Sequence, residues 1–473
     1  MAEPLISAAI DLGATSGRVI VGSWDKETLQ LDEIHRFPNR IQSLGGHDYW
    51  NLAGLFEEIL TGLQKARSKY PTLSLCGVTT WGVDHVLLDQ AGRLIFPPHA
   101  YRDGRTATVR EKLTPEQEET LFRTTGITTL PYNTSLQLAE VFGRYPALAQ
   151  VVDKILYLPD YFAWLLSGRM ATDYSIASTS QLLSVETPDY APEALRIFGL
   201  PEGKLCIPEP AGRILGPIQG QKGLEGIEVI LTPGHDTANA FAAMPTEENE
   251  PTLFLSSGTW SLVGCIHPTA LVTPEARAAG ISNERMGDGS FRPVCNLLGL
   301  WLLEKTLPDL GGTPRDAGEW ENLIAEAETV PTPSDTELIA IDDERLFNPV
   351  NMKEAIDRQR AEKGLAPLSG RARYVRLILA SLAAGHARAM RSFQSMTGRP
   401  FHSILIVGGG SRNRLLCQET ANRCGLPVHS YALEGTAVGS IGQQLIACGA
   451  VDSFATFRTA LRRQLAATVY QPT

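Results

Sequence analysis

Five short runs carry residue types that could do chemistry. The first is Asp11-Leu12-Gly13-Ala14-Thr15-Ser16-Gly17-Arg18. A phosphate group needs backbone N–H groups that can approach without Cβ interference, and hydroxyls that can donate. The two glycines with Thr15 and Ser16 supply both. Asp11, at the end of an apolar run, could hold Mg²⁺ directly or through water, since that ion prefers carboxylate, water and phosphate oxygens. No GxxxxGK[ST] pattern is present and no helix follows, so this is not a P-loop; alone it is also what an ordinary turn looks like. Ser256-Ser257-Gly258-Thr259 is the same device in the second half of the chain. Two domains carrying one such turn each could close on a single phosphate chain from opposite sides. Gly408-Gly409-Gly410-Ser411-Arg412-Asn413 lies between a strand pattern and a helix pattern. Its glycines let a flat ring or a ribose pass over the backbone, and a helix start adds partial positive charge; the bland reading is a flexible loop.

The fourth run is Gly234-His235-Asp236-Thr237. A carboxylate there could act as a general base toward a hydroxyl, and Asp236 or Thr237 could equally cap the helix that follows; the two readings are compatible. His235 could orient a substrate hydroxyl or be a satisfied structural residue. In Thr79-Thr80-Trp81-Gly82-Val83-Asp84-His85, Trp81 offers a face for the C–H side of a sugar and Gly82 leaves room beside it. Asp84 either accepts hydroxyl hydrogen bonds or stabilises a turn. Tyr101-Arg102-Asp103-Gly104-Arg105 either places a charge near the site or forms a buried ion pair.

These runs need elements to hold them. Leu5–Leu12 and Arg18–Trp24 read as two strands of a hairpin, and Leu253–Leu255 with Trp260–Gly264 repeats that grammar. Asn51–Lys69 has the apolar stripe of a helix, with Leu52, Leu55, Phe56, Ile59, Leu60 and Leu63 on one face. Strands are expected at Leu73–Trp81, Val83–Asp89, Gly226–Leu231 and Ser403–Val407, and helices at Thr114–Arg123, Ser135–Arg144, Pro159–Ser167, Gly370–Thr397, Arg412–Arg423 and Thr436–Ala447. The mixture is α/β. The polar, proline-flanked stretch 244–252 is the linker candidate, separating domains at 1–243 and 253–473.

The chain has 473 residues, enough for two large domains. With 42 Lys and Arg against 52 Asp and Glu, its formal charge of -10 argues against a general nucleic-acid or anionic-membrane binder. No apolar run approaches the ~18 residues that span a bilayer, and the first residues do not resemble a signal peptide. The seven scattered cysteines, with no CxxC pair, fit reduced thiols in a cytoplasmic protein. Cys417 and Cys424 are spaced for one helix face rather than a metal site.

Taken together, IDLGATSGR, TTWGVDHVLLD, YRDGRT, PGHDTANA, LSSGTWSL and VGGGSRN resemble the FGGY carbohydrate kinases, from Ile10 to about Ala450. The resemblance implies two actin-like domains, each on a ribonuclease-H-like core, with a catalytic cleft between them. It implies transfer of the ATP γ-phosphoryl group to a sugar hydroxyl with Mg²⁺. Within the family, TWGVDHVLLD, AYRDGRT, LPYNTSLQL, LPDYFAWLLSG, SSGTWSLVG and NLLGLWLLEK point to the members acting on L-rhamnulose, with L-fuculose next and L-ribulose and L-xylulose beyond. Asp236 matches the family's catalytic base. Gly82, His235, Thr237 and Asn296 match sugar-contact positions. Ala14, Thr15, Ser16, Gly17, Arg18 and Thr259 match the phosphate turns, and Gly409 the nucleotide-binding glycine. Asp11 is the expected Mg²⁺ partner, through water. Glu304 falls at a nucleotide-side position where relatives can carry Gln, and Arg285–Phe291 has no assignment. The expected partners are a ketose and ATP, with the protein a monomer or homodimer. A non-catalytic sugar sensor on the same fold would be expected to lack Asp236 or Asp11, and both are present.

Overall fold

The apolar run at the start forms strand β1 (Leu5–Leu12), buried from Ile6 onward, and the turn at Gly13 returns it as β2 (Ser16–Trp24). The Gly13 amide closes this turn on the Ser16 carbonyl at 2.9 Å. In this computed structural model, which describes residues 3–246, 250–431 and 433–473, β3 (Leu29–Pro38) extends the meander antiparallel to β2. A hairpin of β4 (Ile41–Leu44) and β5 (His47–Trp50) leads into the helix Leu52–Lys69. That helix begins where the Asn51 side chain accepts from the Gly54 amide, satisfying one of its free N–H groups. Strand β6 (Leu73–Thr80) returns parallel to β1. A separate hairpin joins β7 (His85–Leu88) and β8 (Lys154–Tyr157). β9 (Ile214–Pro217) and β10 (Glu228–Ile230) complete the main sheet in the order β3-β2-β1-β6-β10-β9. Three antiparallel strands followed by parallel ones give the ribonuclease-H-like core.

By its internal contacts the chain divides into two units. The first is Met1–Glu248 with Ile266–Pro293 and Glu434–Gln464. It therefore takes back two segments from beyond the expected linker. The helix Gly435–Ala447 packs on β1, β6 and the helix Asp236–Ala243. A Cβ on Gly439 would run into the Asn239 backbone, so only glycine permits this approach. Gln444 fixes the contact by donating Nε2–H to the Ala8 carbonyl at 3.0 Å.

The second unit opens on the hairpin β11 (Thr252–Ser257) and β12 (Trp260–Gly264). Strand β13 (Ser282–Arg285) belongs to the first unit, and β14 (Phe291–Leu298) starts there and ends in the second. With β15 (Ser403–Val407), β16 (Val428–Ser430) and β17 (Thr468–Tyr470), the second unit's sheet runs β14-β12-β11-β15-β16-β17. β15 lies parallel to β11. The helix Arg371–Thr397 packs into an apolar core with Leu302, Leu303, Leu323 and Ile356. The expected helix from Arg412 starts later, at Arg414, because the glycine run winds into a single tight turn, Gly409–Arg412, and the Asn413 side chain then caps the Leu416 amide at 3.0 Å.

Residues 247–249, the middle of the linker candidate, lie outside the described residues. Met244 just before them is fully buried. No described helix is long and apolar enough to cross a membrane. All seven cysteines are free thiols, with Cys76, Cys265, Cys295 and Cys417 buried.

Candidate active site

In an open parallel sheet, loops at the carboxyl ends of the strands collect ligands. In the first unit β1, β6 and β10 end at Leu12, Thr80 and Ile230, so their loops carry Asp11–Arg18, Trp81–Asp84 and Gly234–Thr237. The Thr80 amide donates to the Gly234 carbonyl at 2.8 Å, tying two of these loops together.

Asp236 is the first residue of the helix Asp236–Ala243, where the helix dipole favours a negative charge. Its Oδ1 accepts from the Thr237 amide at 2.5 Å and the Thr237 hydroxyl at 3.0 Å, with His235 Nε2 at 3.4 Å. Its Oδ2 accepts no hydrogen bond from any described residue. One oxygen is anchored and the other is free, as an oxygen that must receive a proton from a ligand should be. The capping reading is not realised: the helix begins at Asp236, so Asp236 and Thr237 both lie inside it, and the cap position falls to His235, which makes no side-chain cap bond.

His235 meets two side chains that sequence reasoning missed. Its Nδ1 lies 3.0 Å from Arg292 Nη2 and 3.1 Å from Glu284 Oε2. Arg292 and Glu284 are themselves in direct ion-pair contact. Burial alone would raise Glu284, but the Arg292 guanidinium beside it holds its carboxyl down at about 2. Glu284 lies on β13 and Arg292 on β14, flanking the turn that the sequence left unassigned. Only the RMGDGSF run itself hinted at them.

Gly82 sits close against its neighbours: a Cβ would stand 3.2 Å from Thr179 Cγ2 and 3.4 Å from His235 Nε2. Val83, next to it, has φ +70, a left-handed conformation that is strained for a β-branched residue. The Thr179 hydroxyl accepts its amide at 3.1 Å and its carbonyl accepts the Thr134 hydroxyl at 2.6 Å, which together hold it there.

Asp84 resolves to the structural alternative. It is 1% exposed, and its Oδ2 accepts from Trp50 Nε1 at 2.6 Å, Trp81 Nε1 at 2.8 Å and the Tyr101 amide at 3.2 Å. Burial pushes its carboxyl up to about 6, against the pull of those indole N–H donors. The same clamp corrects the expectation for Trp81. Only 6% of that residue is exposed; its ring packs on Trp50 with centroids 4.2 Å apart and its N–H is committed to Asp84, so it offers no open face to a sugar. Arg105 likewise forms the buried alternative, 3.6 Å from Asp103 and 3.7 Å from Glu140.

At the glycine turn after β1, the Asn39 side chain donates to the Gly13 carbonyl and its amide to the Thr15 carbonyl, both at 2.9 Å. The amides of Ala14 and Thr15 donate to no described residue, which leaves them available to an anion. Gly17 is fixed by packing, since a Cβ would strike the Phe37 ring. Arg18 bonds Asp11 through Nε at 3.1 Å and Glu434 through Nη1 at 2.6 Å. Burial pushes the Asp11 carboxyl up to about 6; Arg18 opposes that rise, and the Asp236 charge adds to it.

Among the described residues no cluster of three or more His, Cys, Asp or Glu side chains forms a metal cage. Mg²⁺ does not ordinarily need one, since it keeps several waters and takes one or two carboxylates along with substrate phosphates. Asp11, a carboxylate with one cationic partner and the Asp236 charge acting on it, fits that kind of site.

The second unit gathers its own predicted residues at the ends of β11 and β15. The Thr259 carbonyl accepts the Gly299 and Trp301 amides at 3.1 and 3.2 Å, which anchors the start of the helix Trp301–Thr306 that carries Glu304. Thr259, Glu304 and Gly409 are exposed. Gly408 has φ +84, and a Cβ there would lie 2.6 Å from the Ser257 carbonyl, so the glycine loop and the second hairpin are in contact. Asn296, on β14 opposite Leu262, is also exposed and belongs to this unit, whereas Gly82, His235 and Thr237 belong to the first.

Two units, each with a glycine turn at a strand end, and a half-free carboxylate in the first, suit a phosphotransferase acting on a hydroxyl acceptor. Residues 6–242 match the N-terminal domain, and residues 253–448 the C-terminal domain, of the FGGY family of carbohydrate kinases. The chain belongs to that family and is a sugar kinase. It is 36% identical over 470 residues to a rhamnulokinase of Bacteroides thetaiotaomicron, covering 98% of this chain and 95% of that one. It is 37% identical over 467 residues to a rhamnulokinase of Pectobacterium atrosepticum, covering 98% and 92%. Among solved structures, the gluconate kinase from Lactobacillus acidophilus matches with a TM-score of 0.81 at 13% identity, covering 99% of this chain and 94% of that one. A Plasmodium falciparum glycerol kinase with ADP matches with a TM-score of 0.79 at 15% identity and the same coverage. At those identities the structural likeness speaks for the fold.

Proposed function

We propose that the enzyme transfers the γ-phosphoryl group of ATP to the 1-hydroxyl of L-rhamnulose, giving ADP and L-rhamnulose 1-phosphate. The observation that carries this choice of acceptor is the 36–37% identity over 98% of the chain to rhamnulokinases. In this reading Asp236 Oδ2 takes the hydroxyl proton as the sugar oxygen bonds to phosphorus and the bond to the ADP oxygen breaks. Gly82, His235 and Thr237, with Asn296, contact the sugar. The free amides of Ala14 and Thr15, with Ser16, Gly17 and Arg18, take phosphate charge on one hairpin and Thr259 on the other; Gly409 and Glu304 border the nucleotide. Mg²⁺, bound with the nucleotide and held by Asp11 through water, would neutralise phosphate charge. Phosphoryl transfer needs in-line positioning and charge neutralisation more than covalent help, and these residues supply both. In this reading the enzyme works in the cytoplasm, where its ATP is supplied.

The test is ADP release from MgATP with L-rhamnulose, L-fuculose, L-ribulose, L-xylulose, D-xylulose and glycerol, and a blank without sugar. The proposal expects the highest kcat/KM for L-rhamnulose. Such sugars differ by groups worth ~1–3 kcal/mol in a pocket, so the preference should be about tenfold or more. A higher kcat/KM for another ketose overturns the acceptor and leaves the kinase assignment standing.

A further inference from the structure

We propose that Arg292, steadied by Glu284, is a positioning residue that fixes His235 as the neutral Nε2–H tautomer, so that His235 serves Asp236 as a donor and does not compete with it for the acceptor's proton. This rests on the reading of Asp236 as the base. The inference starts from a conflict at His235 Nδ1. That atom lies 3.0 Å from a guanidinium nitrogen and 3.1 Å from a carboxylate oxygen. A guanidinium can only donate, and an ionised carboxylate can only accept. A bare Nδ1 satisfies Arg292, whereas a protonated Nδ1 satisfies Glu284.

Burial decides between them. The Arg292 side chain is 0% exposed, and its Nε and Nη1 already lack hydrogen-bond partners among the described residues. Losing the bond from Nη2 to the imidazole would add to a set of buried donors that water cannot reach. The Glu284 side chain is 15% exposed and keeps its contact with Arg292 in either case, so solvent can serve its remaining lone pairs. The far side of the ring gives the same answer. Nε2 lies 3.4 Å from Asp236 Oδ1, a carboxylate oxygen toward which a hydrogen on that nitrogen is attracted and a bare lone pair is repelled. Arg292 Nη2–H to Nδ1 and Nε2–H to Asp236 is therefore the arrangement in which both neighbours of the ring are served at once. The charged groups around His235 are Asp236, Glu284 and Arg292. Asp11 acts on the same carboxylate, and Tyr132 lies within electrostatic reach of Glu284.

The experiment is ¹⁵N NMR of the full-length enzyme labelled at histidine, with His235→Gln used to assign the ring signals. The expected result is an Nε2–H tautomer for His235 at neutral pH, retained in Glu284→Gln because the donor that sets it is still present. An Nδ1–H tautomer or an imidazolium in the wild-type spectrum overturns the proposal, and so does loss of the Nε2–H tautomer in Glu284→Gln. Arg292→Met should abolish the single tautomer and lower kcat ~10-fold or more, while Arg292→Lys, which still donates, restores most of both. A kcat unmoved by Arg292→Met in a folded protein also overturns it. Should Arg292→Met fail to fold, the wild-type and Glu284→Gln spectra decide alone. The spectra need no turnover, so an active Asp236→Asn variant would remove the base and leave the tautomer result standing.

Discussion

Strands β1 and β2 face each other at Asp11 and Arg18, whereas β11 and β12 face each other at Ser257 and Ser261. Both hairpins turn on glycine with Ser and Thr beside it, and both end a strand that has a parallel neighbour. The first stores a buried carboxylate and its guanidinium; the second is uncharged and stores a buried Ser257 hydroxyl that makes no hydrogen bond with any described residue. Turn grammar supplies free amides in either case, and the residue at the strand end decides what else the turn can do. A carboxylate beside Asp236 suits a place where protons and cations are handled, whereas a neutral turn against the glycine loop suits one where a ligand is held.

The contrast can be broken most severely at the charged end. Asp236→Asn is expected to lower kcat ~10²–10⁴-fold with sugar binding retained by calorimetry; an unchanged kcat would remove Asp236 from the mechanism. Asp11→Asn tests the charged hairpin through stability. The Asp11 carboxyl rises from 3.8 to about 6, and at about 1.4 kcal/mol per unit this amounts to about 3 kcal/mol. Because the folded value lies above the unfolded one, the folded protein holds an extra proton between them. The stability this group allows is full below about pH 4 and is lost as pH rises through about 6. Denaturant titrations should therefore show wild type losing up to about 3 kcal/mol relative to Asp11→Asn between pH 4 and 7; parallel curves would refute the burial argument.

At the neutral end the effects shrink. Gly410→Ala should cost about 1–3 kcal/mol by pressing its methyl into Ser257, and Ser257→Gly in the same chain should recover part of that loss. Ser257→Ala removes a buried hydroxyl without a partner, so it should leave stability unchanged or raise it by up to about 1 kcal/mol, with no pH dependence. A large loss in that variant would mean that the hydroxyl has a role the free protein does not display.

Local rules made both hairpins, the capped helix at Asn51 and the Gly234–Thr237 run readable, because each is specified within a few residues. Glu284 and Arg292 were not readable. They are ordinary charged residues in strand patterns, and they reach His235 only because the segment Ile266–Pro293 folds into the first unit. Asp84 and Trp81 fell between these cases. Their positions were visible, but the burial that turns Asp84 into a clamp for two indoles depends on Trp50, which its own surroundings tie to a different hairpin. The unreadable part of the site is thus the part built by long-range packing.

The helix Gly435–Ala447 has a consequence for how the protein is made. It covers a strand that left the ribosome at residues 5–12, and Gln444 reaches the Ala8 carbonyl to seal it. At about 5–20 residues per second, synthesis separates the two by roughly 20–90 s. For that time the face of β1 that the helix will occupy is open on a nascent chain, while the whole second sheet is still being translated. The last part of the message therefore completes the first core, and a chain released early would lack that cover permanently.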